Sequence, residues 1–74
     1  GEAMIVAGKT ETTIYNHNLT DNKKINLVPQ EEIGNSVLYV KSKNTNPDDG
    51  APYFVVSLSQ PLSQDLAFKW WIIE

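Results

Sequence analysis

The stretch that most constrains this chain is its last ten residues, Asp65-Leu66-Ala67-Phe68-Lys69-Trp70-Trp71-Ile72-Ile73-Glu74, which hold both tryptophans, one of the two phenylalanines and a pair of isoleucines. Aromatic and β-branched residues at this density predict an extended strand, set off upstream by Pro61 and Ser63. Side chains alternate along a strand, so Leu66, Phe68, Trp70 and Ile72 share one face, and Ala67, Lys69, Trp71 and Ile73 share the other. A strand apolar on both faces aggregates unless each face has a partner. The first face can belong to a domain core. The second, interrupted only by Lys69, must pack against something else.

The rest of the chain reads as material to cover that strand. Residues 2 to 7 form a short apolar strand stopped by Gly8-Lys9, and Thr10 to Asn16 is a threonine-rich strand, the two together predicting a hairpin. His17 to Lys23, rich in Asn and Asp, is a loop where the chain reverses or crosses over. Lys24 to Pro29 places Ile25 and Leu27 on one side and Asn26 and Val28 on the other. Pro29 and Gly34-Asn35 leave too little room for a helix in residues 30 to 36, which are read as a loop. Ser36 to Lys43 is a strand that ends in Lys41 and Lys43, charges that discourage edge pairing. Asn46-Pro47-Asp48-Asp49-Gly50 is the strongest turn signal, and Tyr53 to Leu58 follows as a strand with Phe54, Val56 and Leu58 on one face. Six short strands without a helix-period segment predict an all-β antiparallel sandwich or small barrel, and a small antiparallel β-sandwich, jelly-roll-like, is the expected form, as a single module over residues 1–74.

At 74 residues the chain is small enough to bury only about 60% of the surface that its unfolded form exposes. Chains of this size gain stability from disulfides, a metal or oligomerisation. Cysteine is absent, and a single histidine, His17, without ligand neighbours at metal-site spacing makes no zinc site, so oligomerisation is the remaining route. No cofactor or metal is expected. The net charge of −3 and six scattered lysines do not match the clustered basic residues that nucleic acid requires. No apolar run approaches membrane-spanning length, so no membrane insertion is expected.

The remaining motifs are weak as chemistry. Asp48-Asp49-Gly50 beside Asn44 and Asn46 carries calcium-type oxygens, but its spacing departs from an EF-hand loop and a turn needs the same residues. Glu31-Glu32 is an adjacent carboxylate pair, whereas glycosidases need carboxyls converging across a cleft. His17 has no nucleophile motif to serve, and Asn18-Leu19-Thr20 fits a glycosylation pattern common by chance. Tyr15, Tyr39, Tyr53, Trp70 and Trp71 have the rings of a sugar-stacking platform, although a chain this short needs most of its large side chains for packing. No acid, base and nucleophile set is visible, and the chain is read as non-enzymatic.

Taken together, Ala3-x-Ile5-x-Ala7-Gly8-Lys9-Thr10, Asn22-x-Lys24-Ile25 running to Pro29, Leu38-Tyr39-Val40, Phe54-x-Val56 and Asp65-Leu66-x-Phe68-x-Trp70-Trp71-Ile72-Ile73 resemble the small C-terminal β modules of phage tail-fibre and bacterial surface proteins. The resemblance covers nearly the whole chain. It implies the C-terminal part of a longer protein, a place in a virion tail fibre or at a cell surface, and homotrimeric assembly with a role in folding or receptor contact. The acidic Asn44 to Ala51 turn is longer here than in such modules.

Two functions follow as expectations: a structural module that trimerises through itself, and a module that binds a glycan or cell-surface receptor. The expected core is Leu66, Phe68, Trp70, Ile72, Phe54, Val56, Leu38, Val40, Ile25 and Leu27. The expected subunit seam is Trp71 and Ile73 together with Tyr53 or Val55.

Overall fold

A computed structural model of the chain describes residues 1–48 and 50–73. Among the described residues the alternating apolar segments form six strands, β1 (Glu2–Ile5), β2 (Glu11–Tyr15), β3 (Lys24–Pro29), β4 (Leu38–Asn44), β5 (Tyr53–Leu58) and β6 (Leu66–Ile73). They make two three-stranded antiparallel sheets, one ordered β1-β6-β3 and the other β2-β5-β4. With principal dimensions of 34 × 24 × 17 Å, the molecule is two sheets thick. The chain winds as a folded ribbon, first strand beside last and second beside fifth, so the fold is a small antiparallel β-sandwich.

The hairpin expected from the first two strands does not form. Val6 to Lys9 does make a tight turn, with Lys9 N–H donating to the Val6 carbonyl at 2.9 Å and Gly8 at φ 80°, which glycine adopts without a Cβ clash. Beyond that turn the chain changes sheet, and β1 pairs with β6 while β2 pairs with β5. Long-range bonds set this direction: Ala7 N–H donates to the Asp65 carboxylate at 2.8 Å, and Gly8 N–H to the Leu62 carbonyl at 2.9 Å. The local turn chemistry reverses the chain equally well into either sheet. The loop from His17 to Lys23 also crosses over, whereas β4 and β5 are consecutive strands that pair with each other.

Both sheets turn their apolar alternation inward. Phe54, Val56, Leu58, Leu66, Phe68, Ile5, Ile14 and Leu19 are buried, and Ile25, Leu27, Leu38, Val40, Trp70 and Ile72 pack against them half-buried. The ring of Phe54 meets the indole of Trp70 edge to face across the sandwich, 5.4 Å between centroids, a favoured arrangement for aromatic quadrupoles. Leu19, 2% exposed, is the one buried apolar side chain contributed by the polar loop between β2 and β3. Between the β3–β4 and β5–β6 connections, buried Ser36 Oγ donates to the Gln60 carbonyl at 2.9 Å and accepts from Gln60 N–H at 3.2 Å. This satisfies a hydroxyl that would otherwise be costly to bury.

Candidate interaction surfaces

Strand alternation that sends Leu66, Phe68, Trp70 and Ile72 inward must send Ala67, Lys69, Trp71 and Ile73 outward. Strand pairing then builds rows across the outer face of the β1-β6-β3 sheet. Met4 lies opposite Ala67, Glu2 and Val28 flank Lys69, Asn26 lies opposite Trp71, and Lys24 opposite Ile73. Four apolar side chains on this face are strongly exposed: Met4 at 48%, Val28 at 39%, Trp71 at 46% and Ile73 at 48%. Small Ala67 leaves a shallow depression between Met4, Gln30 and Lys69, about 470 Å³ in volume. Scattered exposed apolar residues are ordinary, but four on one face of a three-stranded sheet form a patch.

The outer face of the β2-β5-β4 sheet has a different character. Tyr15, Tyr53 and Asn44 form one row across all three strands, Thr13, Val55 and Ser42 the next, and Glu11, Ser57 and Tyr39 a third. The Tyr15 and Tyr53 rings lie 5.7 Å apart at a tilt of 57°, and Asn44 Nδ2 donates to the Tyr53 hydroxyl at 3.4 Å. A bulge in β4 between Val40 and Ser42 inserts Lys41, which pairs with Glu11. The Glu11 carboxylate, accepting a hydrogen bond from this ammonium, raises the Lys41 pKa above its ordinary value.

The seam expected from sequence is therefore divided. Trp71 and Ile73 face outward from one sheet, whereas Tyr53 and Val55 face outward from the other, so the four do not make one patch of a single chain. Sequence alternation sorts residues within a strand but does not say which strands share a sheet. Met4 and Val28 join Trp71 and Ile73 instead, and the apolar-polar alternation of β1 and β3 was the signal that could have found them.

The loops bring further side chains together at one end of the sandwich. Gly1, Asn16 and Asn18 border a cleft of about 400 Å³ with Trp70 and Trp71. Lys43 reaches from β4 to the β2–β3 loop, where its ammonium donates to the carbonyls of Lys23 at 2.8 Å, Asp21 at 3.0 Å and, more weakly, Thr20 at 3.5 Å. Nothing in the local sequence marks Lys43 for that role. His17 is exposed, as are Glu31 and Glu32, which lie on a surface depression with Leu62, Gln64 and Asp65. Among the described residues no three His, Cys, Asp or Glu side chains converge as a metal site. Near the Asp48-Asp49-Gly50 segment, Asn46 N–H donates to Asn44 Oδ1 at 3.2 Å, the bond of an Asx turn; Asp49 itself lies outside the described residues.

Fold and surfaces together define a small two-sheet β-sandwich module with an apolar outer face on one sheet and a tyrosine-bearing outer face on the other. Comparisons with protein-family models, with curated proteins and with solved structures find no match to this chain.

Proposed function

We propose that this sandwich is a non-enzymatic assembly module that forms a homotrimer at the end of a tail fibre or surface protein, with the outer face of the β1-β6-β3 sheet turned toward the neighbouring copies. The observation that carries this reading is the exposure of Trp71, Ile73, Met4 and Val28 on that one face. Covering such side chains contributes about 25 cal/mol for each Å² of apolar surface removed from water. A chain with so small a core gains proportionately more from that than a large domain does. The tyrosine-bearing face points away from the assembly axis in this arrangement.

Sedimentation velocity of the chain at micromolar concentration tests the reading. The expected result is a trimer, and Trp71→Asp is expected to sediment as a folded monomer. A wild-type chain that is folded and monomeric under these conditions overturns it. So does a Trp71→Asp variant that assembles as the wild type does.

A further inference from the structure

The outer face of the β2-β5-β4 sheet holds a group of residues that neither core packing nor the proposed assembly uses. Tyr15 is 66% exposed at the end of an edge strand, yet its ring is not isolated. It tilts against half-buried Tyr53 with centroids 5.7 Å apart, and the Tyr53 hydroxyl accepts a hydrogen bond from half-buried Asn44. The three stand in register on adjacent strands, so sheet geometry rather than a loop fixes their spacing. Sites carried on strands hold their geometry better than sites on loops. The next row, Thr13, Val55 and Ser42, has smaller side chains and offers two hydroxyls beside the rings, with Lys41 inserted next to Ser42 at the bulge and directed to Glu11.

The charges on this face select the ligand. Glu11 and Lys41 pair with each other, and Glu11 lies four residues from Tyr15, about 13 Å along the strand. The rows around the two rings carry phenol, amide, hydroxyl and aliphatic groups, and the one charge among them, Lys41, inserted beside Ser42 at the β4 bulge, is paired with Glu11. An anionic ligand would have to compete with Glu11 for the Lys41 ammonium, and a cationic ligand with Lys41 for the Glu11 carboxylate, so a neutral ligand leaves that pair intact. A ligand with one apolar face and a rim of neutral hydroxyls matches both features: its polarised C–H groups sit on the electron-rich ring face, and its hydroxyls exchange hydrogen bonds with the surrounding polar groups.

We propose that the row Tyr15, Tyr53 and Asn44, with the hydroxyls of Thr13 and Ser42 beside it, is a binding platform for a neutral saccharide, with a pyranose ring stacked on Tyr15. The platform lies within one chain and is independent of trimer formation. Its contacts lie on an open sheet face, so binding of a single short glycan is weak, and several copies on one assembly strengthen attachment by avidity.

The test is an amide NMR titration of the full chain with maltotriose, lactose and chitotriose, using 3′-sialyllactose as a charged comparator. At least one neutral sugar is expected to shift the Tyr15, Tyr53 and Asn44 amides to saturation. Tyr15→Ala should weaken that binding by about tenfold or more with an otherwise unchanged spectrum. Tyr15→Phe, which keeps the ring, should bind nearly as the wild type does. Trp71→Asp reports assembly separately and should leave the shifts in place. The proposal is overturned if none of the neutral sugars shifts these amides, if the shifts centre on the Trp70 and Trp71 cleft, if 3′-sialyllactose is preferred, or if Tyr15→Ala binds like the wild type.

Discussion

Phe54 and Trp70, one from each sheet, meet edge to face with 5.4 Å between centroids and 73° between ring planes. Their contact ties the two middle strands, β5 and β6, across the sandwich. Phe54 is fully buried and Trp70 half-buried, so the indole closes the core toward its edge.

Trp70 and its sequence neighbour Trp71 should therefore behave differently. Trp70→Ala removes a packed aromatic and is expected to cost about 3 kcal/mol, the lower end for such truncations because Trp70 is only half-buried. For a chain of this length, total stability is about 4 to 11 kcal/mol, so this is a large fraction. Trp71→Ala, outward-facing, is expected to lower the association constant while an isolated protomer keeps its fold. Urea unfolding at several protein concentrations separates the two effects. Equal, concentration-independent losses from both variants would refute the two-face reading.

Leu19 supplies a second contrast, because it is buried although its neighbours Asn18 and Thr20 are exposed. Leu19→Ala is expected to destabilise the fold by about 2 to 4 kcal/mol through lost burial and a residual cavity. Asn18→Ala should change stability by less than about 0.5 kcal/mol, as exposed substitutions commonly do. Thermal or urea denaturation of the two variants measures the difference.

Lys43 joins β4 to three backbone carbonyls of the loop between β2 and β3. Lys43→Met keeps much of the aliphatic stem and removes the donors. Amide hydrogen exchange in residues 18–23 is expected to accelerate more than exchange in β5 and β6, because a locally held segment opens without global unfolding. Uniform acceleration throughout the chain would show that Lys43 stabilises the whole fold instead.

The pairing of Lys41 with Glu11 predicts a pH dependence of definite sign. Because the folded state raises the Lys41 pKa, its contribution is fully present below the unfolded lysine value and is lost as pH rises through the higher folded value. The pair is exposed and screened, so its effect on stability is small. Side-chain NMR should find Lys41 titrating above an ordinary lysine, and Glu11→Gln should return it toward that ordinary value. A Lys41 titration unchanged by Glu11→Gln would rule out the pairing in solution.

Position and number of the strands were legible in sequence, and so was the inward face of β3 to β6, whereas buried Ile5 of β1 and Ile14 of β2 were not among the expected core residues. Phe54 and Val56 alternate with Tyr53 and Val55, and Leu66 and Phe68 alternate with Ala67 and Lys69, so a period of two identifies which residues go inside together. Loops too were marked, by Pro29, Gly34-Asn35 and the segment from Asn46 to Gly50, because turn conformations depend on a few neighbouring residues. Leu19 escaped that reading because a single leucine within a polar loop has no period to reveal its burial.

What the sequence determined by itself was thus local: six extended segments, two alternating sides for each, and the all-β class they imply. Only tertiary structure decided sheet membership, which pairs β1 with β6 rather than β2 and sets Trp71 and Ile73 on the opposite side of the molecule from Tyr53 and Val55. The reason is physical. Alternation is built into the backbone of each strand, whereas a strand's neighbours are selected by contacts between residues far apart in the chain.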